Sequence, residues 1–117
     1  MRKRILITGA GGPGGVNVTR ALRLADEEMF LLGIDSDRYH ICLAETDARE
    51  LVPRAVDQSA YLRRLRSITE QHDIGLVIPT NGVEICLLAG LETDLRARVF
   101  LPRLETVTIA NDKYGSF

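Results

Sequence analysis

The stretch Ile7-Thr8-Gly9-Ala10-Gly11-Gly12-Pro13-Gly14-Gly15 holds five glycines and a proline in nine residues. Just upstream, Ile5, Leu6 and Ile7 form a continuous apolar run, the pattern of a strand buried on both faces. Downstream, Val18, Ala21, Leu22 and Ala25 recur at i, i+3, i+4 and i+7, which predicts a helix from Pro13 or Gly14 to Asp26. A second apolar run, Phe30 to Ile34, ends in the acidic pair Asp35 and Asp37. Strand, helix and strand within about thirty residues make a βαβ unit, whose strands are parallel and whose crossover is right-handed.

The alternation continues along the chain. A short helix is expected near Ile41 to Glu45, then a short strand near Glu50 to Val52, which Pro53 ends or confines to an edge. Asp57 or Ser59 can cap a helix that turns Tyr61, Leu62, Leu65 and Ile68 inward and leaves Arg63, Arg64 and Arg66 in solvent. Leu76 to Ile78 reads as a strand closed by PTNG, followed by a helix from Val83 to Arg96 with Leu88, Leu91 and Leu95 inward. Val99 to Leu101 supplies a fifth strand, and Leu104 to Ala110 one more short helix. This order predicts an α/β fold: an open, parallel, Rossmann-like sheet of about five strands, ordered 3-2-1-4-5, with helices on both faces.

A chain of 117 residues suits one domain with a real core. Fifteen basic and sixteen acidic residues give a net charge of −1, without the basic excess that nucleic-acid binding draws on. The opening MRKRILITG is basic, but its apolar run is far too short for a signal peptide, so no export and no membrane span are expected. Cys42 and Cys86 lack metal-type spacing and are expected to be reduced, packed thiols in a cytoplasmic protein. His40 and His72 read as surface residues.

In a sheet of that order three loops become neighbours at the carboxyl ends of the strands: the glycine loop, Asp35-Ser36-Asp37, and Pro79-Thr80-Asn81-Gly82-Val83-Glu84. The glycine loop satisfies two templates. Gly9, Gly11 and Gly14 fit G-x-G-x-x-G, whereas Gly9, Gly12 and Gly15 fit the G-x-x-G-x-x-G pattern and so resemble short-chain dehydrogenases. In both, glycine lets the backbone approach a pyrophosphate at a helix N-terminus. Pro13 removes one amide donor but suits the first position of a helix. Asp35 stands where an acidic residue accepts hydrogen bonds from an adenine ribose. An NAD(P)-binding module therefore stays open, as does a tight turn with no ligand. No Tyr-x-x-x-Lys pair, Ser-His-Asp order, HExxH or paired-cysteine motif accompanies it.

The far end of the chain adds another pattern. The glycine loop, VIPTNGVE, VFLPRLETV and the closing Asn111-Asp112-Lys113 segment together resemble the N-terminal, pre-ATP-grasp domain of ATP-grasp ligases of the carbamoyl-phosphate synthase large-subunit type. The resemblance implies a pre-ATP-grasp domain over residues 1–111 and the start of a following domain over 112–117. It also implies an ATP- and magnesium-dependent ligase whose nucleotide is held mainly by domains outside this chain, in cis or on a separate chain, so that the chain alone is inactive. A carboxylate or amine substrate would be the small-molecule partner. On the same resemblance the Gly11 to Gly15 amides face substrate or phosphate, Glu84 contacts the substrate, and Thr80 and Asn81 are its polar neighbours. Read from the residues alone, Glu84 is equally a first-turn carboxylate that favours the positive end of its helix. A non-catalytic nucleotide-sensing domain is a third reading.

Overall fold

The computed structural model describes residues 2–89 and 97–100. Strands β1 (Lys3–Thr8), β2 (Met29–Asp35), β3 (Ala48–Leu51), β4 (Leu76–Ile78) and β5 (Arg98–Val99) form one sheet in the order β3-β2-β1-β4-β5. Every pairing is parallel, with Ile5 opposite Leu31 on one side and Leu76 on the other. The predicted topology is the observed one. Helix α1 (Pro13–Arg23) follows β1, a 3-10 turn (His40–Leu43) follows β2, α2 (Gln58–Gln71) follows β3, and α3 (Gly82–Ala89) follows β4.

Alternate residues of each strand serve opposite faces. Ile5, Ile7 and Leu31 pack with Ala10, Val18, Leu22 and Ile41 on the α1 side. Leu6, Leu32, Ile34 and Val77 pack with Tyr61, Leu65 and Ile68 of α2 and Leu88 of α3 on the other. Both faces of the central strands are thus covered, which is why their sequence reads as unbroken apolar runs rather than as alternation.

Three departures from expectation have local causes. Helix α1 stops at Arg23, short of Asp26, because Asp26, Glu27 and Glu28 would place three carboxylates at the negative end of the helix dipole. Strand β3 begins at Ala48, earlier than expected, since it pairs with Leu32 to Asp35. Helix α3 starts at Gly82 because Asn81 caps it: the Asn81 Oδ1 accepts the Glu84 N–H at 2.9 Å. Cys42, on the 3-10 turn, is exposed rather than packed, and Cys86 is half-buried. His72 is not a plain surface residue either. It stacks on Phe30 and its Nε2 lies 3.2 Å from Glu50. Of the arginine cluster on α2, Arg63 and Arg66 face solvent, while Arg64 pairs with Glu50 at 3.1 Å. The end of the expected Val83 to Arg96 helix, the Leu104 to Ala110 helix, Asp112, Lys113 and the 111/112 boundary lie outside the described residues. Among the described residues no helix is long and apolar enough to cross a membrane.

Candidate functional site

A cleft of about 400 Å³ opens at the carboxyl ends of the strands. Its walls are the glycine loop (Gly9, Gly12, Pro13, Gly14), the end of β2 (Asp35, Ser36, with His40 beyond), the segment Val52 to Val56 after β3, Tyr61 of α2, and Thr80, Asn81, Val83 and Glu84 after β4. The three loops expected to converge do so.

The five glycines have different jobs. Gly9 adopts a φ of +59°, and a Cβ there would stand 2.7 Å from the Thr80 Oγ1, so the chain can turn at this point only without a side chain. Gly11 is buried beneath the His40 carbonyl, and its N–H is taken by Asp35 Oδ2 at 3.2 Å. A Cβ on Gly15 would collide with the Gly9 carbonyl and the backbone of Ala10, so this residue lets α1 approach the loop closely. Gly14 is exposed but lies against the Thr80 carbonyl, 3.3 Å from where its Cβ would be. Gly12 alone has room: its nearest neighbour would be the Gly9 carbonyl at 3.5 Å, an ordinary contact. Its φ of −82° and ψ of 171° are open to any residue.

The two glycine templates are thereby separated. Under G-x-G-x-x-G, the middle glycine would be Gly11, whose space is filled by protein. Under G-x-x-G-x-x-G the middle glycine is Gly12, which is open to the cleft, flanked by a turn glycine at Gly9 and a packing glycine at Gly15. The second pattern matches the division of labour a dinucleotide loop requires. The amides divide as well. The Gly11 N–H goes to Asp35, the Gly12 N–H to the Gly9 carbonyl at 3.0 Å, and Pro13 has none. The first helical bond runs from the Val16 N–H to the Gly12 carbonyl, so the N–H groups of Gly14 and Gly15 have no acceptor among the described residues.

Asp35, 8% exposed, is held by backbone on both oxygens: Oδ2 accepts the Gly11 N–H and Oδ1 the Asp37 N–H at 3.0 Å. It ties β2 to the glycine loop, and each oxygen retains a second lone pair. Asp37 in turn accepts the His40 and Tyr39 amides, which hold its carboxyl below the usual range and fold the chain back over Gly11.

On the β4 side the side chains point inward. Thr80 Oγ1 donates to the Thr8 carbonyl at 2.7 Å, and Thr8 Oγ1 accepts the Thr80 N–H at 3.3 Å. Glu84, 7% exposed, accepts from the Tyr61 hydroxyl, the Asn81 amide and Thr8. Burial raises its pKa above the ordinary carboxylate value, against the pull of those three donors, and the nearby Asp35 charge adds to the rise. Burial likewise pushes the Tyr61 phenol upward, and the Glu84 carboxylate pushes it further. Among the described residues no buried side-chain polar atom lacks a partner.

The carried-over ligase roles do not fit this arrangement. The Glu84 carboxylate is engaged by Tyr61, Asn81 and Thr8 rather than presented to a substrate, and the Gly11 and Gly12 amides are used internally. In the sequence Tyr61 reads only as an apolar helix position. The available signal was its hydroxyl, which needs a partner once the ring is 1% exposed. The sequence pattern does not assign His40 or the Val52 to Val56 segment to the site, yet both line the cleft. Their position just after strands beside the switch point was the clue.

No family model and no curated protein matches the chain. Solved structures do. The chain is similar to UDP-D-quinovosamine 4-dehydrogenase from Vibrio fischeri, with 20% identity and a TM-score of 0.59 over 95% of this chain and 87% of that one. It is also similar to dTDP-glucose 4,6-dehydratase from Bacillus anthracis, solved in complex with NAD, with 16% identity and a TM-score of 0.52 over 76% of this chain and 33% of that one. These likenesses establish the Rossmann-like fold. They overturn the resemblance to an ATP-grasp ligase, and with it the expectation of ATP and magnesium, since the matched chains are a dehydrogenase and a dehydratase.

Proposed function

We propose that this chain is an NAD-binding module of the Rossmann type, with the cleft as its dinucleotide site. The observation that carries the reading is the behaviour of the glycine loop: Gly12 stands open to the cleft between a turn glycine and a packing glycine, beside the unaccepted amides of Gly14 and Gly15. Those amides, at the positive end of α1, face where a pyrophosphate would approach. Asp35, next along the sheet, has lone pairs left for ribose hydroxyls and a charge that disfavours a 2′-phosphate. In this reading the ligand lies with its base over β3, ribose over β2, pyrophosphate over β1 and nicotinamide toward Thr80 and Val83 after β4, which the sheet order and the cleft lining support. Support also comes from the dehydratase neighbour, whose structure is a complex with NAD.

Bound there, the dinucleotide would supply hydride chemistry, and the residues of this chain would bind and orient it. Tyr61 is no proton donor to such a ligand, because its hydroxyl is held on Glu84.

Fluorescence titration with NADH tests the reading. Micromolar binding by the natural chain, weakened at least about tenfold by Gly12→Ala with folding intact, is the expected result. Silence up to millimolar NADH would sink it. Gly12→Ala is cleaner than Asp35→Ala, because Asp35 also accepts two backbone N–H groups.

A further inference from the structure

We infer that Arg54 forms one wall of the base-binding end of this cleft, its guanidinium plane lying on the face of the adenine; the inference rests on the dinucleotide reading above. The segment after β3 is fixed beside Asp35 by the bond from the Val52 N–H to the Asp35 carbonyl, 3.0 Å. Val52, Pro53, Ala55 and Val56 give that side of the cleft an apolar surface, in contrast to the amides and polar side chains of the glycine and β4 loops. Arg54 lies within this apolar segment and is the one arginine or lysine on the described cleft wall.

Four other arginines are occupied. Arg20, Arg23 and Arg64 pair with carboxylates, and Arg4 sits over the Phe30 ring. Arg54 is exposed and forms none of the ion pairs seen among the described residues. It follows β3, two strands from β1 in the sheet, on the side of the cleft where the base would lie. A 2′-phosphate would have to lie against Asp35. A planar cation set in an apolar wall at the base end matches a flat aromatic ring, on which guanidinium groups stack.

The test is titration of NADH and NADPH into the natural chain, Arg54→Ala and Arg54→Lys, at low and high salt, with circular dichroism confirming that each variant is folded. Both substitutions should weaken NADH binding about tenfold, since lysine keeps the charge but lacks the plane, and the loss should persist at high salt. NADPH should bind no more tightly than NADH. Unchanged binding by Arg54→Ala, retention by Arg54→Lys, a loss that vanishes at high salt, or an Arg54-dependent preference for NADPH would each overturn the stacking role. Those outcomes leave the dinucleotide reading standing. No NADH binding by the natural chain would overturn both.

Discussion

The glycine loop and the Thr80 to Glu84 loop meet over one cleft, yet they leave their polar groups in opposite states. After β4, every hydroxyl, amide and carboxylate that sequence patterning would offer to a ligand bonds to the protein: Thr80 to Thr8, Asn81 to Glu84, and Glu84 to Tyr61. After β1, where no side chain can help, the backbone leaves two amides unaccepted and one glycine uncovered. Position at the carboxyl end of a strand does not make a residue ligand-facing. The unaccepted Gly14 and Gly15 amides mark the side that folding leaves open.

That contrast can be broken at its packed end first. Gly15→Ala places a Cβ into the backbone of Gly9 and Ala10, where only main-chain movement can relieve it, and should cost about 3 kcal/mol, at the top of the range for overpacking. Urea denaturation reads this directly, and a small effect would mean the loop yields more readily than its packing suggests. Tyr61→Phe removes a donor from a buried carboxylate and should cost about 2 kcal/mol by the same measurement. No loss would show that the β4 side is not held as tightly as its bonds imply.

The same carboxylate gives a pH signature. Between its ordinary value near 4.5 and its raised folded value, Glu84 binds more protons in the folded chain than in the unfolded one. Its contribution to stability is therefore fully present below the ordinary value and is lost as pH rises through the folded one. Urea midpoints measured from about pH 4 to about pH 8 should fall less steeply for Glu84→Gln than for the natural chain. An identical slope would show that Glu84 titrates as an ordinary surface carboxylate.

At the open end the expected structural effects are small. Gly12→Ala should lower stability by less than about 1 kcal/mol, the cost of a poorer helix cap, while weakening NADH binding. Comparable stability losses at Gly12 and Gly15 would erase the distinction between the two glycines. Arg63→Ala, on the solvent face of α2, should stay within about 0.5 kcal/mol in thermal or urea unfolding and leave NADH affinity unchanged.

Much of the fold is legible in the residues themselves. The apolar runs Ile5 to Ile7 and Phe30 to Ile34, the helical spacing between Val18 and Ala25, and the glycines between them fix a parallel unit, because burial on both faces and a tight strand-to-helix turn each leave a periodic mark. The boundary of α1 was less legible, since the acidic run Asp26 to Glu28 acts through the helix dipole rather than through hydrophobic spacing. For the site, the sequence determined that the glycine loop, Asp35 and the Thr80 to Glu84 loop would share a crevice. Only the tertiary structure decided that Gly12, not Gly11, is the open glycine, that Glu84 is turned to Tyr61, and that Arg54 stands on the cleft wall. Those outcomes depend on atoms brought together across the sheet: the His40 carbonyl above Gly11, the Tyr61 hydroxyl beside Glu84, and the Val52 amide on the Asp35 carbonyl. Such pairings span many residues along the chain, and no local pattern of residue types records which polar group finds a partner and which is left for a ligand.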